Sequence, residues 1–172
     1  QKKIKQAKKS NNIQLAICLV KKNPLETIFQ KATELGVNKI IPLISERTEV
    51  KDINYERAKK IVIEATEQSN QLTPPAISKI TKLKNFLESL DQSTKLLFAD
   101  INSKNNLDIK DFKEVKSLCV LIGPEGDFTP KERETILSKT NTIPFSLSKN
   151  ILRADTATIS AISLINFVLS DH

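Results

Sequence analysis

Residues 120–132 read VLIGPEGDFTPKE. The apolar run Leu118 to Ile122 opens into Gly123-Pro124-Glu125-Gly126, and a helix start follows almost at once. Thr129 is placed as an N-cap, Pro130 lies in the first turn, and Glu132 occupies the capping-box position. Strand, turn and helix therefore succeed one another within about twenty residues, the repeating unit of an α/β fold. The chain has 3 glycines, Gly36, Gly123 and Gly126, and two of them sit in this turn.

The same grammar extends outward. Strand-like apolar runs cover 13–20, 39–44, 95–101, 117–123 and 142–147. They are continuous rather than alternating, as expected of parallel strands buried on both faces. Helical patterns fill the gaps at 24–36, 54–70, 129–138 and 155–170. The first has Pro24 at its start and Gly36 at its C-cap. The last carries Ile159, Ile162, Ile165, Val168 and Leu169, a face apolar enough for a core or a subunit interface. Pro-Pro and Asn/Ser content mark 70–78 and 101–106 as loops. The expected architecture is a mainly parallel sheet flanked by helices.

Composition narrows the function. The 172 residues, 39% of them hydrophobic and 27% charged, suit one soluble domain. The net charge of +7 favours an anionic partner, most simply a nucleic acid. Lys2, Lys3, Lys5, Lys8 and Lys9 put five positives in the first ten residues. Cys18 and Cys119 lie inside apolar runs and read as buried free thiols, in keeping with a reducing cytoplasm. The single histidine is the terminal His172 and no CxxC occurs, which argues against a zinc site or a histidine base. No apolar run is long enough to span a membrane.

In an open parallel sheet, ligands bind beyond the C-terminal strand ends. The 123–126 turn sits at such an end, where glycine lets a backbone approach a ligand closely. A plain strand-to-helix turn is equally compatible with the pattern. A Walker phosphate loop is excluded, since no Gly-Lys-Ser/Thr follows, and GxGxxG is absent. A second stretch, SLSKNILRADTA (146–157), also leaves a strand for a helix and places Arg153 and Asp155 two apart at the junction. The two turns fit opposite walls of one pocket.

IGPEGDFTPKE followed by LSKNILRADTA resembles the C-terminal signature of the SPOUT-class methyltransferases that modify N3 of a uridine in 16S ribosomal RNA, the RsmE family. FQKATELGVNKIIPLISERTEV (29–50) and EATEQSNQLTPPAI (64–77) resemble two further blocks in the same order. The resemblance runs from about Ile13 to Phe167. It implies an α/β domain over 13–172 with a deep C-terminal trefoil knot, homodimerisation, and S-adenosylmethionine bent into the knot. Residues 1–12 then form a basic segment, the remnant of a linker to a missing N-terminal PUA-like domain. The family's cofactor loops map onto Leu97, Phe98 and Ala99, onto Ile122, Gly123, Pro124, Glu125 and Gly126, and onto Leu147, Ser148, Ile151, Leu152 and Arg153. The chain departs from the family pattern at Asp127 and Ser148, where glycines are usual, at Ala154 and Asp155, and at Asn70 and Gln71, which replace a glycine and a basic residue.

The implied reaction needs no metal, because a sulfonium is already an electrophile. Uridine N3 is a poor nucleophile until its proton leaves, so a base or an oxyanion stabiliser is wanted. Arg153 is the candidate for orienting the uracil or stabilising its anion. Glu125 and Asp155 are candidates for the proton acceptor; helix-dipole stabilisation and an N-cap are their respective alternatives. Arg47 and the N-terminal lysines are expected phosphate contacts, and Glu67, Gln68 and Ser69 an RNA-contact region. The expected partner is 16S ribosomal RNA in the small subunit. A non-catalytic RNA-binding module on the same fold, or a related enzyme acting on another RNA, are the competing readings.

Overall fold

The computed structural model describes residues 11–112 and 114–170. The lysine-rich start (residues 1–10) and His172 lie outside them. Among the described residues, seven strands are joined by five helices and one 3₁₀ turn. The order is β1 (Asn12–Cys18), α1 (Lys22–Glu34), β2 (Lys39–Ile44), α2 (Tyr55–Gln68), β3 (Ala76–Ile77), β4 (Thr81–Lys82) and α3 (Leu83–Ser89). Then follow β5 (Thr94–Ala99), the 3₁₀ turn (Ile109–Phe112), β6 (Ser117–Ile122), α4 (Pro130–Ser138), β7 (Thr142–Phe145) and α5 (Ala154–Ser170).

The strands form one sheet in the order β3-β2-β1-β6-β5-β7, with β4 also pairing β2. Every described pairing is parallel. Continuous apolar strands follow from this, because both faces are covered. Ile13, Leu15 and Ile17 of β1 face α1, α2 and α5, whereas Ala16 and Cys18 face α3 and α4. Both proline-bearing strands obey the rule that proline avoids a fully paired position. Pro42 of β2 falls between the short partners β3 and β4, and Pro144 lies on the edge strand β7.

The helix ends explain two departures from the family pattern. After α1, Gly36 takes φ +86° while its N–H donates to the Thr33 carbonyl and that of Val37 to Ala32. This is the Schellman ending, one residue beyond the Leu35 cap. The end of α2 repeats it with Asn70 at φ +54° in glycine's place; the N–H groups of Asn70 and Gln71 donate to Glu67 and Thr66. Asparagine tolerates that left-handed backbone. The Gln71 amide donates to the carbonyls of Thr33 and Glu34 at 2.7 and 3.1 Å, and Asn166 Nδ2 donates to Leu35 at 2.8 Å. Gln71 therefore gives the Thr33 carbonyl a second donor, beside the Gly36 N–H, and supplies a donor to the Glu34 carbonyl in the last turn of α1.

The short elements β3, β4, α3 and the 3₁₀ turn have no counterpart in the sequence reading. Two-residue strands carry no period to read. The i, i+3, i+4 triplet Leu83, Phe86 and Leu87, which buries α3, spans barely more than one turn.

Candidate active site

Three chain segments converge beyond the C-terminal ends of the central strands. β6 delivers the 123–126 turn, β5 delivers Ala99 and Asp100, and β7 leads into 146–153. Together they enclose a cavity of about 330 Å³. A second cavity of about 690 Å³ lies on the other side of the same turn, and Pro124 and Glu125 border both.

The turn is built by identifiable forces. The Asp127 N–H donates to the Pro124 carbonyl at 2.9 Å, and Asp127 takes φ +61°. Aspartate supports that conformation by accepting the Phe128 N–H on its own Oδ1 at 2.8 Å. The residue found where glycine is usual thus adopts glycine's backbone. Gly123 is tightly placed for a different reason: a Cβ there would meet the Phe128 ring at 3.0 Å, and the ring would have to give by a few tenths of an ångström. Phe128 is held edge-on to Phe98, with centroids 5.7 Å apart and planes at 63°. At Gly126 an added Cβ would only touch the Arg47 side chain, at 3.6 Å. α4 then begins with the complete capping box: the Glu132 N–H donates to Thr129 Oγ1, and the Thr129 N–H to Glu132 Oε2.

Of the residues expected to hold a cofactor, Ala99, Ile122, Gly123, Pro124, Glu125, Leu147, Ser148, Ile151, Leu152 and Arg153 line the first cavity. Gly126 borders the second cavity instead. Leu97 and Phe98 do not reach either one. Parallel-strand geometry buries them on opposite faces of the sheet, at 0% and 1% exposure, and the chain becomes available only at Ala99. Ser148 keeps its loop compact, its Oγ accepting the Asn150 N–H at 3.0 Å.

The candidate chemical groups are close but loosely held. Arg153 is 76% exposed at its side chain and pairs with Asp155 at 3.8 Å. Arg153, not Asp155, supplies the first carbonyl of α5, which accepts the Ala157 N–H. Asp155 is therefore inside the first turn, not at the N-cap, where its carboxylate still meets the positive end of the helix. Glu125 is exposed at the partition between the cavities. Arg47 lines the second cavity and its Nη1 donates to the Gly126 carbonyl at 3.1 Å.

Glu67, Gln68 and Ser69 are not brought to these cavities within the chain. α2 runs back along the sheet, so its end lies near the strand starts, beside the end of α1. Ser69 Oγ is spent on the Ala65 carbonyl at 2.7 Å. Among the described residues, no group of three or more His, Cys, Asp or Glu is placed to hold a metal. No helix among them is long and apolar enough to cross a membrane.

Asp100 and Arg133 escaped the sequence reading. Asp100 lines the first cavity with a side chain only 2% exposed. Arg133 Nε donates to Oδ1 and Oδ2 at 3.2 and 3.0 Å, and Nη2 to Oδ2 at 2.8 Å. The Asn102 N–H adds a bond to Oδ1 at 3.0 Å. This hydrogen bonding to Asp100 raises the guanidinium's pKa further. The available signal was Asp100 itself, a carboxylate closing an apolar run at the ligand end of a strand.

The model of a family described as "RNA methyltransferase domain" matches residues 7–166. The chain belongs to this family. A ribosomal RNA small subunit methyltransferase E from Rickettsia conorii is 38% identical over 165 residues, covering 94% of this chain and 66% of the relative. The corresponding Aquifex aeolicus protein is 35% identical, over 83% of this chain and 63% of the relative. This RNA methyltransferase domain thus spans just under two thirds of the length of those relatives. In structure it is similar to a Neisseria gonorrhoeae ribosomal RNA small subunit methyltransferase E bound to S-adenosyl methionine, with a TM-score of 0.84 and 30% identity. That match covers 92% of this chain and 66% of the other.

Proposed function

We propose that this chain is the cofactor-binding domain of an S-adenosylmethionine-dependent methyltransferase that methylates N3 of a uridine in 16S ribosomal RNA. The observation that carries the reading is the cavity between the 123–126 turn and the 146–153 segment. It lies where an open parallel sheet binds ligands, in a chain whose structural relative from Neisseria gonorrhoeae is bound to that cofactor. The cavity suits such a group: Ile122, Leu147 and Leu152 offer apolar surface for a base, and the turn offers backbone groups for its edge. Bound there, the cofactor supplies an activated methyl group.

The chain's own residues do the rest. Arg153, exposed at the cavity mouth, is free to swing onto a uracil, orient it and stabilise negative charge as the N3 proton leaves. Glu125 and Asp155 border the same cavity as candidate proton acceptors. Arg47, across the partition, meets a phosphate of the RNA. Asp127 and Ser148 are the features that favour a non-catalytic module, yet both keep the loops compact through their own hydrogen bonds. The catalytic reading is therefore preferred.

The knot and the dimer belong to the same proposal. After the edge strand β7, the chain must return across the ends of β5 to place α5 against α1, β6 and the 3₁₀ turn. The Ser146 N–H donates to the Asn105 carbonyl at 2.8 Å as this return begins. A C-terminal trefoil knot accommodates such a return, which supports that part of the proposal. On the outer side of α5, Leu164 and Phe167 are 37% and 65% exposed, and a second copy of the chain covers them. The protein works in the cytoplasm. Incubation with small-subunit RNA and S-adenosylmethionine, followed by mass mapping, tests the assignment. A methyl group on uridine N3 is expected; transfer to another base, or to transfer RNA alone, would overturn it.

A further inference from the structure

The first turn of α4 reaches in two directions from adjacent residues. Arg133 forks onto the buried Asp100, a wall of the smaller cavity. Glu132 uses Oε2 for the capping box, and its Oε1 accepts the Glu46 N–H at 2.9 Å. Glu46 precedes Arg47, which lines the larger cavity and holds the Gly126 carbonyl. The turn from which α4 springs is the partition between the two cavities.

We propose that Glu132 and Arg133 are positioning residues, a brace that sets the cofactor side of the partition through Asp100 and the RNA side through the 45–48 turn. The assignment of the sides rests on the proposed function. With Arg133 in place Asp100 is nearly inaccessible to water, and loss of the guanidinium leaves its carboxylate the Asn102 N–H in place of a charged partner. The planar fork also fixes the angle between β5 and α4, which an ammonium cannot do. Glu132 satisfies two backbone N–H groups that lie on different segments. A glutamine there keeps one acceptor oxygen and turns an amide N–H₂ toward the other donor, so one arm fails while the capping box can persist.

The two arms predict separable defects, which a merely stabilising role would not produce. Binding of S-adenosylhomocysteine is measured by calorimetry, and KM for small-subunit RNA by methyl transfer. Arg133→Met should weaken binding by about tenfold or more, the usual scale for a lost charged hydrogen bond, with a smaller change in KM for RNA. Arg133→Lys should fall between and keeps the test available if Arg133→Met does not fold. Glu132→Gln should raise KM for RNA and leave binding near its original value. The double variant Asp100→Asn with Arg133→Met removes the unpaired charge, so its thermal midpoint should recover while binding stays weak. Equal losses in both readouts, or affinity that returns with the midpoint, would overturn the brace. An unaltered chain that does not bind the probe overturns the functional reading and the brace with it. One that binds, with Arg133→Met binding equally well, overturns the brace alone.

Discussion

Arg153 and Gly123 make opposite demands on their surroundings. Arg153 touches little, so Arg153→Ala should change folding stability by no more than about 0.5 kcal/mol, while turnover falls far more than cofactor affinity. Equal losses in both would contradict an orienting role. Gly123 faces a ring that is itself wedged against Phe98. Gly123→Ala should destabilise by about 1–3 kcal/mol through overpacking, whereas Gly126→Ala, with an ordinary contact in prospect, should be near silent in a thermal melt. The thiols offer a pH test. Burial pushes Cys18 and Cys119 from 9.0 up to about 12, against weaker hydrogen bonds that lower them. The unfolded chain therefore releases protons that the folded chain keeps, so stability is full below pH 9 and declines from there toward pH 12. Both thiols should resist alkylation at pH 8 until the chain is denatured.

At the scale of elements, strands and long helices were legible because their signals are local and repeated. The capping box at Thr129 and Glu132, the glycine ending of α1, and the apolar strand runs each state one structural fact within a few residues. Residues whose meaning depends on a distant partner were not legible. Arg133 looks like any polar helix residue until β5 brings Asp100 beneath it, 33 positions away. Leu97 and Phe98 were expected beside the cofactor, but the pleat turns both into the core. Gln71, noted only as replacing a basic residue, caps the end of α1, 37 positions away. The α5 face read as core or interface, Ile159, Ile162, Ile165, Val168 and Leu169, packs inward, with Ile162, Ile165 and Val168 buried and Ile159 and Leu169 half-buried; the exposed Leu164 and Phe167 lie outside it and were not singled out. Ile162→Ala should cost about 2–5 kcal/mol of stability, measurable by denaturant unfolding.

For the whole molecule, the account predicts association and salt dependence. Phe167→Asp should shift sedimentation toward the monomer without unfolding it. Arg47→Ala should lower the slope of log affinity for RNA against log salt by about 1, since one phosphate contact is lost; an unchanged slope would remove Arg47 from the interface. All of this depends on the cavity beside the 123–126 turn holding the cofactor. Calorimetric titration with S-adenosylhomocysteine tests that most directly. Saturable binding, abolished by Gly123→Val while the fold persists, is the predicted result. A folded chain that takes up none, or a Gly123→Val variant that binds as well as the parent, would contradict it.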